Sequence, residues 1–389
     1  MNLKLLYSVL VIYSVNVGII VTVIPLYSNS LGADEVAVGL VVSAYAVAYV
    51  AASPLWGKAS DLLGRKLALG IGMLGCSFVV PFFSLATDPS QLMAIRLFHG
   101  LADASFWIVP TIIITDLSLP LERGTALGRV GTFQGVGFII GPFLGGLLVE
   151  QIDYVRVFYI CSALAFSTAL LVILGLRERS HNVGDECSSK IDDAHTQIDP
   201  ESRARRRKRF AIGYLHTVLS AIFFGVIVSQ FVLHANEILG QEYLVGLLLT
   251  SYYVVETFIQ APAGRLSDII GRPSLILLAF AMCTLGFFIL IFTSSFALFL
   301  IAIVVIGGGI GGLYVSLTAL LMNVASRAER GLTAGMQNLA WGIGYFLGPA
   351  IGGVAAAYSF GAMYMFCVIA SVIGGALTLL QRLSNAQRS

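Results

Sequence analysis

Gly57-Lys58-Ala59-Ser60-Asp61-Leu62-Leu63-Gly64-Arg65 returns 207 residues later as Gly264-Arg265-Leu266-Ser267-Asp268-Ile269-Ile270-Gly271-Arg272. Glu122-Arg123-Gly124 and Glu329-Arg330-Gly331 keep the same 207-residue offset. So do Gly137-x3-Gly141-Pro142-x2-Gly145-Gly146 and Gly344-x3-Gly348-Pro349-x2-Gly352-Gly353. Gly18 and Gly225, Gly39 and Gly246, and Tyr45 and Tyr252 stand in the same register. A shared offset across so many motifs marks an internal duplication, and a repeat of this size decides the architecture.

What is duplicated is apolar. Of the 389 residues 57% are hydrophobic and 11% charged, and the mean hydropathy is +0.89. Soluble domains carry roughly 25% charged residues, so a soluble enzyme, a nucleic-acid binder and a disordered scaffold are excluded. Residues 177–209 hold 16 of the 44 charged side chains, which leaves long uncharged tracts elsewhere. A bilayer core of about 30 Å needs about 20 apolar residues of helix. Twelve such tracts are predicted, near 5–27, 36–56, 67–87, 91–115, 126–149, 156–176, 211–235, 243–263, 274–294, 296–320, 333–357 and 360–381. Strands of a membrane barrel are about 10 residues long and alternate, so the fold class is all-α integral membrane. The apolar run after Met1 reaches Pro25, too long for a signal peptide, and is read as a retained first span.

Six tracts precede the polar segment and six follow it. Six spans return the chain to its starting side, so the halves are parallel repeats. The expected units are a bundle over 1–176, a linker over 177–209 and a second bundle with a short tail over 210–389. If residue 1 is cytoplasmic, 21 of the 23 basic residues fall at cytoplasmic ends or loops, as the positive-inside bias requires. The exceptions are Arg96, within a span, and Arg156. Asp34, Glu35, Asp88, Glu150, Asp153, Glu237 and Glu242 populate the other side. A multi-pass protein of the cell membrane with both termini cytoplasmic follows. The run Arg203 to Arg209 is read as a topogenic anchor, with an anionic-lipid patch as the alternative. Cys76, Cys161, Cys187, Cys283 and Cys367 show no metal or disulfide spacing.

With these motifs in hand, the sequence resembles the major facilitator superfamily along its whole length, and most of all its twelve-span drug:proton antiporters. The Gly-x3-Asp-x2-Gly-Arg element carries the resemblance most specifically. Arg96-Leu97-Phe98-His99-Gly100-x3-Ala104 resembles a second motif, and the Gly-Pro run on span 5 resembles the one associated with antiporters. The resemblance implies two six-helix bundles, alternating access and a substrate site near the midplane at the repeat interface. It also implies that Asp61 meets the start of span 11 near Thr333, where free N–H groups attract an anion. By the repeat, Asp268 would meet span 5 near Thr125. Gly57, Asp61, Gly64, Arg65, Gly264, Asp268, Gly271 and Arg272 would then latch the halves. The alternative is a turn with solvated charges, Gly57 and Gly64 supplying its backbone freedom.

The glycines of Gly137, Gly141, Pro142, Gly145 and Gly146 expose backbone for close helix approach, while Pro142 removes a donor. Because the run recurs on span 11, duplication alone could account for it, whatever the direction of coupling.

Ionisable residues inside spans carry the most chemistry, since they usually mark an ion or substrate path. Arg96, His99 and Asp103 share one face of span 4, with Asp103 about 18 Å below the outer end. His99 and Asp103 are spaced to hydrogen-bond, whereas Arg96 needs a mediator to reach Asp103. Glu256 lies about 20 Å down span 8, in a stripe with Tyr252 and Gln260; its repeat partner is Tyr49, so it is not a duplicated feature. Structural ion clusters remain the alternative for both carboxylates. Asn16, Gln134, Asn338 and His234 are weaker candidates, as intramembrane amides often glue helices. Trp107 and Trp341 are read as packing residues, with cavity lining as the alternative.

The function expected is secondary transport by alternating access, with proton-coupled efflux of a small amphipathic organic compound in first place. A proton symporter or facilitator for a small metabolite is the alternative. A transporter-like sensor is the alternative from another class. No P-loop is present, nor any HExxH, GxSxG or Cys/His cluster, so neither ATP drive nor enzyme activity is expected. The expected partners are a small-molecule substrate, protons and the lipid bilayer. No nucleic acid, cofactor or metal is expected, and the chain is expected to act as a monomer.

Overall fold

The computed structural model describes residues 3–118, 123–176, 200–326 and 329–386. Most of the expected linker, including Cys187, lies outside them. Among the described residues twelve helices are long and apolar enough to cross a bilayer. They are α1 (Leu3–Ser30), α2 (Glu35–Leu63), α3 (Arg65–Leu85), α4 (Pro89–Leu117), α5 (Ala126–Ile152) and α6 (Tyr154–Gly175), then α7 (Arg206–Leu239), α8 (Glu242–Ile270), α9 (Arg272–Ile291), α10 (Phe296–Val324), α11 (Arg330–Ala356) and α12 (Phe360–Leu383). The start of α1 and the end of α12 lie on one side, called here the terminus face; the other is the far face.

Each expected span falls on one helix, but several helices overrun it. α2 continues to Leu63 and α8 to Ile270, so Gly57 and Gly264 are helical. The turn is made by Gly64 (φ 89°) and Gly271 (φ 86°) alone. This corrects the expectation that Gly57 shapes the turn. The basic run is helical as well, since the helix that carries α7 extends back beyond its apolar span to Pro200. Arg206 forms an ion pair with Glu329 and donates to the carbonyl of Val324 at 3.2 Å, so it ties α7 to the α10–α11 loop. Acidic residues of the far face cap helices. Asp34 accepts from the N–H of Ala37 at 2.7 Å, Asp88 from Ser90 at 2.8 Å, and Asp153 from Arg156 at 2.9 Å. Each fills an orphan donor at the start of α2, α4 or α6.

The duplicated glycines make two kinds of contact. A Cβ on Gly137, Gly141 or Gly145 would strike α1; one on Gly141 would sit 2.5 Å from the Val15 carbonyl. Gly344 and Gly348 meet α7 in the same way, at Val218 and Ile222. Gly18 and Gly225 make room for the rings of Pro142 and Pro349. Those contacts stay within one half. Gly146 instead abuts Glu242 of α8, and its repeat Gly353 abuts Glu35 of α2. Gly246 meets the Pro142 carbonyl and Gly39 the Pro349 carbonyl. These join the halves, along α5–α8 and α2–α11.

Hydrogen bonds follow the same seam. Thr250 Oγ1 inserts where Pro142 disturbs α5, donating to the Ile139 carbonyl at 2.9 Å and accepting from the Phe143 N–H at 3.1 Å. A side chain entering the helix ladder in this way is a known cause of helix bending. Its repeat, Ser43, donates to the Phe346 carbonyl at 2.7 Å. Nearer the far face, Gln230 donates to the Glu35 carbonyl at 2.9 Å and the Tyr243 N–H to Glu150 at 3.2 Å. Toward the terminus face the seam reaches Gly135 against Thr257 and Gly342 against Val50, again a repeat pair. Beyond them Gly128, Gly131, Gly331 and Gly335 have no neighbour within 4 Å of a Cβ. The far face is therefore sealed and the halves part toward the terminus face.

Candidate functional site

Where the seam ends, eight aromatic rings form a closed circuit across both halves. Tyr45 stacks on Tyr49 (6.3 Å between centroids), Tyr49 meets Trp107 (6.5 Å), Trp107 stacks on Phe138 (5.8 Å), and Phe138 on Tyr253 (5.2 Å). Tyr253 then meets Tyr252 (5.0 Å), Tyr252 meets Phe224 (6.4 Å), Phe224 meets Tyr345 (5.3 Å), and Tyr345 returns to Tyr45 (6.2 Å). The contributors are α2, α4, α5, α7, α8 and α11. Trp341 extends the circuit from Phe224 (5.7 Å) toward Tyr314 (5.9 Å). Such pairs hold their geometry with about 0.5–1.5 kcal/mol each beyond burial.

Behind this circuit, in the first half, lies Asp103. Its side chain is fully buried. Tyr13 of α1 donates to Oδ1 at 2.7 Å, Tyr45 of α2 to Oδ2 at 2.5 Å, and the Trp107 indole to Oδ2 at 3.1 Å. The Cys76 thiol of α3 stands 3.8 Å from Oδ1. Arg96 and His99 are buried too. Arg96 pairs with His99 Nδ1 at 3.0 Å and lies 4.6 Å above the Tyr45 ring. The expected mediator between Arg96 and Asp103 is thus Tyr45, which offers its ring face to the guanidinium and its hydroxyl to the carboxylate. The His99–Asp103 hydrogen bond expected from their spacing gives way to this arrangement: Arg96 takes the imidazole and the tyrosines take the carboxylate.

In the second half the duplicated positions are apolar. Arg96, His99 and Asp103 correspond to Ile303, Ile306 and Ile310, and Tyr13 to Ser220. Tyr252, the repeat of Tyr45, is buried with its hydroxyl unpartnered. Glu256 lies one turn from Tyr252, beside the terminal seam residue Thr257, and accepts from Gln260 at 2.9 Å. It is half-buried, unlike Asp103. The two carboxylates therefore flank the aromatic circuit from opposite halves in different settings, one enclosed by several donors and one half-buried with a single amide donor.

The remaining expected residues are scattered. Asn16 is buried with neither amide atom partnered, Gln134 is half-buried on α5, and Asn338 is exposed. Gln337, its neighbour, donates to Thr318 at 2.6 Å instead. His234 pairs with Tyr364 at 2.9 Å near the far face. Asp61 pairs with Arg65, which also holds Asp116 at 3.0 Å. Asp61 makes no contact with α11 here, because the halves are parted on that face. The side chain of Thr125 lies outside the described residues, so the contact expected for Asp268 does too.

A family model described as Major Facilitator Superfamily matches residues 6–240 and again 210–388. The chain belongs to the Major Facilitator Superfamily. It is a multi-pass membrane transporter and not an enzyme. Multidrug resistance protein 1 of Bacillus subtilis (strain 168) is 26% identical over 97% of this chain and 95% of its own length. Multidrug resistance protein MdtG of Serratia proteamaculans (strain 568) is 27% identical over 92% and 87%. A bacterial homologue of the human lysosomal transporter Spinster, solved inward-facing and occupied, superposes with a TM-score of 0.81 at 16% identity, over 98% of this chain and 96% of that one. At that identity the likeness shows the fold alone.

For a major facilitator protein, the residues missed in the sequence are the tyrosines. Tyr45 stood out only for its repeat register, and Tyr13 not at all. Trp107, four residues after Asp103, carried the one usable signal: a donor on the same helix face as an intramembrane acid.

Proposed function

We propose that this transporter exports small amphipathic organic compounds, aromatic cations among them, in exchange for protons. One observation carries the reading: an aromatic circuit spanning both halves, flanked by a carboxylate on each side. Flat faces suit aromatic ligands, and the ring quadrupoles together with Glu256 favour positive charge, by about 0.5–2 kcal/mol for a single cation–π contact. Names of relatives that confer multidrug resistance agree with this. The two bundles, 1–176 and 210–389, would rock about the site so that it opens to one face at a time. The positive-inside bias supports a cytoplasmic terminus face in a cell-membrane protein, and with that orientation the conformation described above is inward-open.

Asp103 and Glu256 would divide the work. Asp103, enclosed by donors in one half only, is the proton site; Glu256 supplies the negative charge at the opening. Reconstitution into proteoliposomes with an imposed pH gradient tests this, using tetraphenylphosphonium as an aromatic cation probe. Asp103→Asn is expected to abolish gradient-driven net transport and leave probe exchange, because exchange needs no protonation cycle. Glu256→Gln is expected to weaken probe binding. Wild-type pH dependence in well-folded Asp103→Asn would remove the proton-site assignment. Probe moving down the proton gradient with the protons would replace export by symport.

A further inference from the structure

Asp103 stands directly behind the aromatic circuit. Its carboxylate meets Tyr13 on the α1 side and Cys76 on the α3 side, both fully buried. On the cavity side stand Tyr45 and Trp107, and the two are themselves joined: Trp107 Nε1 donates to Tyr45 Oη at 2.9 Å as well as to Asp103 Oδ2 at 3.1 Å. Both rings belong to the aromatic circuit. Trp107 is only half-buried and bridges Tyr49 and Phe138 there. The same indole therefore forms part of the surface a ligand would touch and part of the donor shell that closes off the acid.

We propose that Trp107 is the coupling residue: a flat ligand entering the aromatic circuit displaces its indole from Asp103 and opens the carboxylate to cavity water. This rests on Asp103 as the proton site. The step moves one proton and nothing else: from Asp103 to water as the ligand enters from the terminus face, and back from a hydronium ion as the ligand leaves in the other state. Water that reaches the carboxylate relieves the desolvation opposing its charged form, so ligand entry and proton release are linked in one movement. The other groups facing the acid keep their places. Arg96 and His99 stay paired with each other, Tyr13 and Cys76 are anchored behind, and Tyr345 meets the Tyr45 ring edge-to-face at 6.2 Å.

Trp107 is a positioning residue here, so its test must read the acid rather than transport. A hydrophobic carbodiimide modifies carboxyls that are both protonated and reachable, and mass spectrometry reports each site separately. Purified protein without any substrate is labelled from pH 5 to pH 8, with Glu256 as the internal standard. In the wild type Asp103 is expected to label far more slowly than Glu256. Trp107→Phe keeps the ring stack and removes the donor; its Asp103 is expected to label about tenfold faster, the worth of one hydrogen bond to a charged acceptor. Trp107→Ala should label faster still; if it fails to fold, the phenylalanine variant decides alone. Equal Asp103 rates in the wild type and Trp107→Phe would overturn the proposal, as would a wild-type Asp103 that labels as fast as Glu256. Because the measurement contains no transport step, its failure leaves the proton-site reading to be judged by Asp103→Asn.

Discussion

Gly146→Ala perturbs the far-face seam at one defined point. A Cβ there would lie 2.2 Å from the Glu242 carbonyl oxygen, and ordinary contact begins at 3.4 Å, so α5 and α8 must separate by the difference. The obstacle is backbone and cannot rotate away. Overpacking of this kind costs about 1–3 kcal/mol. The cost falls only on the state whose far face is shut, because the two helices part when that face opens. The equilibrium should therefore move toward the far-face-open state by about 5- to 150-fold. Gly353→Ala, 2.5 Å from the Glu35 carbonyl, should do the same through the second copy of the seam.

Gly141→Ala is the control that makes the argument strict. Its Cβ would lie 2.5 Å from the Val15 carbonyl, a clash of the same kind, but α1 and α5 belong to one half and stay together in both states. That variant should lose stability without changing the population. Spin labels at Ser30 and Gln241 report the far face, and labels at Lys58 and Arg265 the terminus face; all four sites are exposed. Double electron–electron resonance should show Gly146→Ala lengthening the first distance and shortening the second, with Gly141→Ala leaving both unchanged and lowering the melting temperature. If the two variants give the same distance distributions, the division of the glycines into within-half and between-half contacts is wrong as an account of the switch.

Asp61→Asn should hold the terminus face open further, because it removes the charge proposed to dock on the start of α11; the Lys58–Arg265 distance reports this, and an unchanged distribution with unchanged transport removes the latch. Arg206→Ala should loosen the α10–α11 loop. Hydrogen bonds from Ser326, with Arg206 beside it, hold the Glu329 carboxyl below the usual carboxylate range. A lowered folded-state value means that the stabilisation is present above the unfolded value and disappears as pH falls through the folded one. Thermal melts from pH 7 down to pH 3 should therefore show a smaller acid-side loss in the variant than in the wild type, and parallel curves would contradict the assignment.

The architecture was legible because duplication writes it twice. A bilayer demands long apolar helices, and the 207-residue offset fixes their order and parity without any contact being known. Even the seam was half-written: Gly39 and Gly246 share a register because each faces a proline carbonyl on the opposite half. What the pattern could not tell was which glycine faces which helix, since Gly145 and Gly146 are neighbours in sequence yet point to different halves. The site was less legible. Spacing along α4 placed His99 within reach of Asp103, and that much is geometry of one helix. Arg96 takes His99 instead, two donors to Asp103 come from α1 and α2, and nothing in the order of residues announces a contact across 90 positions such as Tyr13 to Asp103. Gly57 failed for a different reason: helices in this fold extend past the bilayer core, so a glycine at the expected membrane edge can still be mid-helix.

Duplication also sharpens what is chemically special here. Many contacts that shape the seam occur in pairs: Ser43 with Thr250, Gly135 with Gly342, Gly146 with Gly353. Each half must open and close against the other, so the seam is bound by the pseudo-symmetry. The charged cluster is not. Arg96, His99 and Asp103 face an isoleucine at each corresponding position, and Tyr252 keeps the hydroxyl of Tyr45 without an acid to receive it. Glu256 stands where the first half has Tyr49. Buried charge is costly in a membrane, and a cost borne in one copy but dropped from the other is not required by the fold, since the isoleucine copy folds without it. That is the physical ground for proposing Asp103 for the working cycle and reading the glycine–proline runs as helix packing that both halves need.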